Sequence, residues 1–258
     1  MDWIHAATFQ FEAAILVFVR ILAILSSVPF FGTRQIPPMA KIGFSYFLAM
    51  ILFPVVPLPA SLPINSIFYF LMVGKEVMVG FIIGYVSFIL LTSVQVAGQI
   101  IDLQMGFGIA NVFNPLLNIQ QSVMAQFEYL LAVLLFVLMD GHHLLLLALR
   151  ESFKIIPLGH MHFSIHTFNL VNGFLARMFV IAFQIAIPSL AALFITNLCL
   201  GFMSRLVPQM NVFFVGFSIT LVVGFLVLFI NMGDLASVYH RLFGEVIQQT
   251  LATMKALR

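Results

Sequence analysis

The sequence predicts an all-α, polytopic helical membrane protein, and three observations carry that class. Hydrophobic residues make up 62% of the 258 and charged residues only 8%, so a water-soluble domain would lack the polar atoms to cover its surface. Several apolar runs reach or exceed the ~20 residues that a bilayer crossing requires. The 30 phenylalanines and 14 methionines lie in unbroken runs, without the alternation and aromatic girdles of a β-barrel. The expected architecture is about five long apolar helices plus a central re-entrant helical hairpin, in a single integral-membrane domain over residues 1–258.

The first apolar run, Ala13 to Val28, carries Arg20 near its middle. At a bilayer centre an unpaired arginine costs about 2.5 to 3.5 kcal/mol on insertion scales, so Arg20 requires a partner on another helix, another subunit or in a watery cavity. The N-terminal MDWIHAATFQFEAA holds Asp2 and Glu12 where a cleavable signal would hold basic residues, so this first helix is expected to stay attached. Pro29, Gly32, Pro37 and Pro38 then break the chain, beside the basic residues Arg34 and Lys41. The second span runs from Ile42 to Val56 and ends in a proline-rich, uncharged turn.

The third span, Ile67 to Ile101, is free of charge for 25 residues beyond Glu76. Lys75 and Glu76 point apart on a helix, and an interfacial position is expected for them. Gly80 and Gly84 form a GxxxG pattern, with Ser87 on the same face, which permits close approach of another helix. The span gives way to GQIIDLQMGFGIANVFNP, a stretch with Gly106, Gly108, Asn111, Asn114 and Pro115 as breakers. Its apolar Phe107, Ile109, Val112 and Phe113 mark it as a loop packed inside something.

Tyr129 to Met139 is apolar for only 11 residues before Asp140, Gly141, His142 and His143 intervene, and Leu144 to Leu149 adds 6 more. Neither half crosses a bilayer alone, which predicts two short helices joined by a polar turn at Asp140–His143. After the polar interval RESFKIIPLGHMHFSIH come two long spans: Met178 to Ser204, 27 residues without charge, and Leu206 to Gly233, 28 without charge. The first holds Pro188 and, at small-xxx-small spacing, Ala182 and Ala186. The second opens with loop around Pro208 and Asn211, and the tail from Asp234 is mildly amphipathic.

Basic residues orient these spans. With the middle segment re-entrant, Arg34, Lys41, Arg150, Lys154, Arg177, Arg241, Lys255 and Arg258 share the cytoplasmic side and Arg205 alone lies outside. If the middle segment crossed, only Arg34, Lys41 and Arg205 would lie inside, against six basic residues outside. The hairpin arrangement follows the positive-inside rule and places the C-terminus in the cytoplasm.

Few chemical functions are encoded. Net charge is +2 with no basic stripe, which argues against a nucleic-acid partner and an anionic-lipid cluster. Cys199 is the only cysteine, so no intramolecular disulfide is available, and a small buried hydrophobe is its expected role. His142, His143, His160, His162 and His166, with Asp140 and Glu151, are the metal-ligand types present. Adjacent histidines diverge on a helix and no HExxH occurs, so no metal is expected. Without a GxSxG, a Walker loop or a dinucleotide fingerprint, neither an enzyme nor a cofactor is expected. A stand-alone secondary transporter or channel is the alternative class, but its helix breaks would carry ion-binding groups, and the breaks here contain few acids.

Four stretches in register, RILAILSSVPFFGTRQIPPMAKIG, GQIIDLQMGFGIANVFNP, DGHHLLLLALRESFKIIPLG and LGFMSRLVPQMNVFFVGFSITL, resemble the FliR family over nearly the whole chain. That family comprises membrane subunits of the flagellar type III secretion export gate and is related to the SctT subunits of injectisomes. The resemblance implies a bacterial inner-membrane, basal-body subunit that packs with homologous-type subunits, FliP and FliQ, in a helical pore assembly, contacts FlhB, neighbours FlhA and helps conduct unfolded export substrates. It also implies that apolar helices pack on other subunits beyond the membrane plane. By the same resemblance Gly106, Phe107, Gly108, Ile109, Ala110, Asn111, Val112, Phe113, Asn114 and Pro115 form a plug that seals the resting channel. In such an assembly the partner of Arg20 is expected on a neighbouring subunit.

Overall fold

The structure is a computed structural model that describes residues 2–28, 31, 36–59, 66–107, 122–209 and 211–257. In chain order its helices are α1 (Asp2–Ser27), α2 (Pro38–Leu52), a 3-10 turn (Phe53–Val55), α3 (Ser66–Met105), α4 (Val123–Leu138), α5 (Gly141–Ile155), α6 (Ile165–Leu206), α7 (Val212–Ile230) and α8 (Met232–Ala256). Among the described residues there is no strand, and the all-α class expected from the composition is the one observed.

Among the described residues five segments are long and apolar enough to cross a bilayer: Ala7–Ser27, Pro38–Val55, Ser66–Met105, Thr167–Leu206 and Val212–Ile230. These are the five expected spans. The helix that was expected to begin at Met178 begins at Ile165, so the end of the polar interval, Arg177 included, is helical. Pro188 sits inside α6 without ending it. The pair α4 and α5 breaks at Met139 and Asp140, where Asp140 takes a left-handed φ of 57°. Taken together they pass as one broken span, and neither does alone.

The chain divides into two compact units. The first comprises residues 1–90, 140–175 and 243–258. Its core is a stripe on α1, with Leu16, Val17, Ile21, Ile24, Leu25 and Val28 buried at three- and four-residue spacing. Val79, Ile82 and Ile83 of α3, Leu149 and Phe153 of α5, and Met254 and Leu257 at the C-terminal end complete it. Between apolar helices in lipid the driving force is close packing, since the surrounding tails are as apolar as leucine. Gly80 and Gly84 supply it: a Cβ on Gly80 would stand 2.6 Å from Ala23 Cβ and 2.7 Å from the Arg20 carbonyl oxygen.

The second unit comprises residues 91–139 and 176–242. On α7 the buried positions are Gly216, Thr220, Gly224 and Leu228, four apart, so one small-residue face turns inward. Ala182 and Ala186 of α6 are fully buried, as their spacing predicted. Cys199 lies on the exposed face of α6 rather than inside, because the buried stripe of that helix runs through Ile185, Ala186, Ser189 and Leu193 and leaves Cys199 off it. The outward faces of α6 and α7 are rich in large apolar side chains, among them Phe179, Phe194, Phe202, Phe214 and Phe229.

Candidate functional site

Two arrangements of polar atoms stand out against this apolar background, one in each unit. In the first unit Arg20 is fully buried in the middle of the α1 stripe. Its Nε–H donates to the Glu76 carboxylate, and its Nη1 donates to the carbonyl oxygens of Ser152, at 3.1 Å, and Ile156, at 2.8 Å. Both carbonyls lie at the C-terminal end of α5, where a cation is favoured, and that of Ser152 also accepts the Ile156 N–H at 2.9 Å. The guanidinium carbon lies 4.6 Å from the centre of the Phe153 ring. Glu76 accepts a second bond, from the Gly159 backbone N–H at 2.8 Å. Gly159 has a φ of +79°, a conformation that favours glycine, and the Met72 side chain lies against it, with its Cε 2.2 Å from where a Cβ would stand.

Sequence reasoning identified the need of Arg20 but not its answer. The counter-charge expected on a neighbouring subunit is supplied within the chain by Glu76, across 56 residues of sequence. Glu76 is correspondingly buried, while its neighbour Lys75 remains exposed and reaches the Gly159 carbonyl at 3.4 Å. The available signal was the presence of one acid and one base, each interrupting a different apolar run.

In the second unit the polar arrangement surrounds the loop that follows α3. Gly106, with a φ of +88°, and Phe107 are described, whereas Gly108, Ile109, Ala110, Asn111, Val112, Phe113, Asn114 and Pro115 lie outside the described residues. The N–H groups of Gly106 and Phe107 both bond the Asp102 carbonyl at 3.2 Å, which closes the last turn of α3. The Thr220 hydroxyl donates to the Met105 carbonyl at 3.0 Å, and the Phe107 ring meets Phe225 edge-on at 6.5 Å between centroids. A Cβ on Gly224 would stand 2.5 Å from Met105 Cε, so α7 reaches the end of α3 through its small-residue face.

The returning end of the loop is held by the same turn. The Asp102 carboxylate accepts the Met124 N–H at 3.2 Å, while the Ser122 side chain caps α4 by accepting the Ala125 N–H at 3.0 Å. A carboxylate is well placed there, at the positive end of a helix dipole. Nearby, a Cβ on Gly98 would stand 2.4 Å from Ala125 Cα, so α3 and α4 touch backbone to backbone. Asp102 therefore clamps both ends of the loop, a role its sequence neighbourhood did not disclose.

The hairpin turn, Asp140, Gly141, His142 and His143, belongs to neither arrangement. Adjacent imidazoles were expected to diverge, yet their ring centres lie 4.3 Å apart. Asp140, the left-handed residue before α5, places its carboxylate 3.2 Å from His143 Nδ1 and 4.0 Å from His142 Nε2. The three ligand-type atoms lie within 4.8 Å of one another. Asp140 and His143 are exposed, and their contact is the hydrogen bond of an ordinary turn.

The kinship of the chain agrees with this layout. The family described as "Bacterial export proteins, family 1" matches residues 11–246. A flagellar biosynthetic protein FliR of Bacillus subtilis strain 168 is 39% identical over 251 residues, which cover 96% of each chain. The FliR of Pectobacterium carotovorum subsp. carotovorum is 32% identical, over 89% of this chain and 87% of that one. The FliR of Escherichia coli K12 is 30% identical, over 88% of this chain and 87% of that one. The chain belongs to the bacterial export proteins of family 1 and, within them, to the FliR family, a component of the flagellar export apparatus.

Proposed function

We propose that this chain is a pore-forming subunit of the flagellar protein export gate in the bacterial inner membrane. In this reading it assembles with FliP and FliQ, contacts FlhB, lies near FlhA and helps conduct unfolded export substrates. Its C-terminus faces the cytoplasm, in keeping with the distribution of basic residues. The loop from Gly106 to Pro115 seals the resting channel. Phe107, Ile109, Val112 and Phe113 exclude water from the constriction, and Gly106 and Gly108 let the loop move aside.

The observation that carries the plug reading is the clamp at Asp102. A loop that must open repeatedly without unfolding its unit needs a fixed stem, and Asp102, Thr220, Ser122 and the Phe107–Phe225 contact provide one. The assembly reading rests on length and exposure. α3 has 40 residues and α6 has 42. Helices of that size are about 60 Å long, twice the hydrocarbon thickness. Apolar side chains along α6 are exposed from Ile165 and Phe168 at one end, through Phe179 and Phe194, to Leu206 at the other, so lipid alone does not cover them.

The test is deletion of Asn111 to Asn114. Resting cells are expected to leak small solutes while export continues, and unchanged permeability in assembled complexes overturns the plug. Affinity purification with mass spectrometry checks the assembly, with recovery of FliP-like and FliQ-like proteins expected.

A further inference from the structure

One pair of buried groups in the second unit takes no part in the stem. Glu128 on α4 is fully buried, and neither carboxylate oxygen has a hydrogen-bond partner among the described residues. Tyr239 on α8 is also fully buried, and its hydroxyl has no partner either. Burial first, and then the charge Glu128 would carry, push the Tyr239 hydroxyl above the ordinary phenol range.

An ionised carboxylate in this place would be desolvated without compensation, at a cost that buried acids escape by binding a proton. The other titratable side chains of the unit do not relieve it. Asp102 on α3, Tyr129 beside Glu128 on α4, Arg177, Cys199 and Arg205 on α6, and Asp234, His240 and Arg241 on α8 make no hydrogen bond or ion pair with Glu128. Asp102 is committed to the Met124 N–H. Protonation removes that cost, because a neutral carboxyl is far cheaper to bury than a carboxylate.

We propose that Glu128 is a proton-binding site: its buried, unpartnered carboxyl is held protonated while the unit is packed, and it gives that proton to water when the packing around α4 opens. The O–H bond of the acid breaks, a hydronium ion forms, and the carboxylate left behind is hydrated. Proton binding then favours the packed state. Its contribution is complete at pH values below those of an ordinary glutamate and is lost as pH rises through the higher affinity of the buried site.

The test uses the purified full chain with its co-purifying subunits. At neutral pH, where exposed glutamates are ionised, the infrared spectrum should contain the carbonyl band of a protonated carboxyl. That band should vanish in Glu128→Gln. A spectrum with no carboxyl band separating wild type from Glu128→Gln overturns the proposal. If Glu128→Gln does not accumulate, wild-type protein carrying 13C-labelled glutamate decides the matter: an isotope-shifted protonated band supports the site, and its absence refutes it. Thermal unfolding across pH reads the release. Wild type should lose midpoint temperature relative to Glu128→Gln as pH rises, and a difference that does not change with pH overturns the linkage.

Discussion

Glu76 lies one helical turn before Gly80 on α3, and that turn carries both the buried ion pair and the closest approach of α3 to α1. The absence of a side chain at Gly80 lets the α1 backbone at Arg20 come near enough for the guanidinium to reach Glu76. Charge neutralisation and glycine packing are thus one device.

Breaking the pair should cost more than its presence contributes. Glu76→Ala leaves the Arg20 charge buried without its partner, which typically destabilises by about 3–5 kcal/mol. Replacing both residues, Arg20→Met with Glu76→Leu, removes both charges and should recover most of that loss. Thermal unfolding in detergent checks the pattern, and equal losses in single and double variants would contradict it.

The two glycines predict a graded response. A Cβ on Gly80 meets the Arg20 carbonyl oxygen at 2.7 Å, and one on Gly84 meets Ser27 Cβ at 2.4 Å, so either alanine substitution must move α1. Overpacking of this kind costs about 1–3 kcal/mol. Gly74 has nothing within 4 Å of its would-be Cβ, so Gly74→Ala is the control and should be neutral or slightly stabilising.

Loosening the stem should loosen the seal. Asp102→Ala removes the acceptor of the Met124 N–H, a capping loss of about 1 kcal/mol. Under the proposed function the expected phenotype is a resting leak of small solutes, milder than that of the loop deletion. Solute uptake by non-exporting cells measures it.

The C-terminal end is structural in the first unit. Leu257 is fully buried, its carbonyl accepts the His162 N–H at 3.0 Å, and the Ala256 carbonyl accepts the Thr167 hydroxyl at 3.0 Å. Leu257→Ala should destabilise by about 2–5 kcal/mol. Thr167→Val should cost roughly 0.5–1.5 kcal/mol, and unfolding midpoints rank the two.

The five spans were legible because length and charge exclusion are properties of contiguous sequence. The early start of α6 was not, since a helix that extends past the apolar core of a membrane can carry Arg177 and still be helical. Arg20 declared a problem through its position, whereas Glu76 looked interfacial beside Lys75, and only the fold brings them together. Asp102 stands in the sequence as one acid near the end of a long apolar run, but its bond to Met124 depends on where α3 stops and α4 begins, which composition does not set. Cys199 was misjudged because burial on a long helix follows its contact stripe and not local hydropathy.

The clamp at Asp102 has an evolutionary side. With its two ends held at one residue, one by the Asp102 carbonyl and the other by the Asp102 carboxylate, the segment between Phe107 and Ser122 is closed at its base, and closure entropy grows only logarithmically with length. Doubling such a segment adds only about 0.6 kcal/mol. The length of that segment can therefore change at little cost to the stability of the helices that carry it.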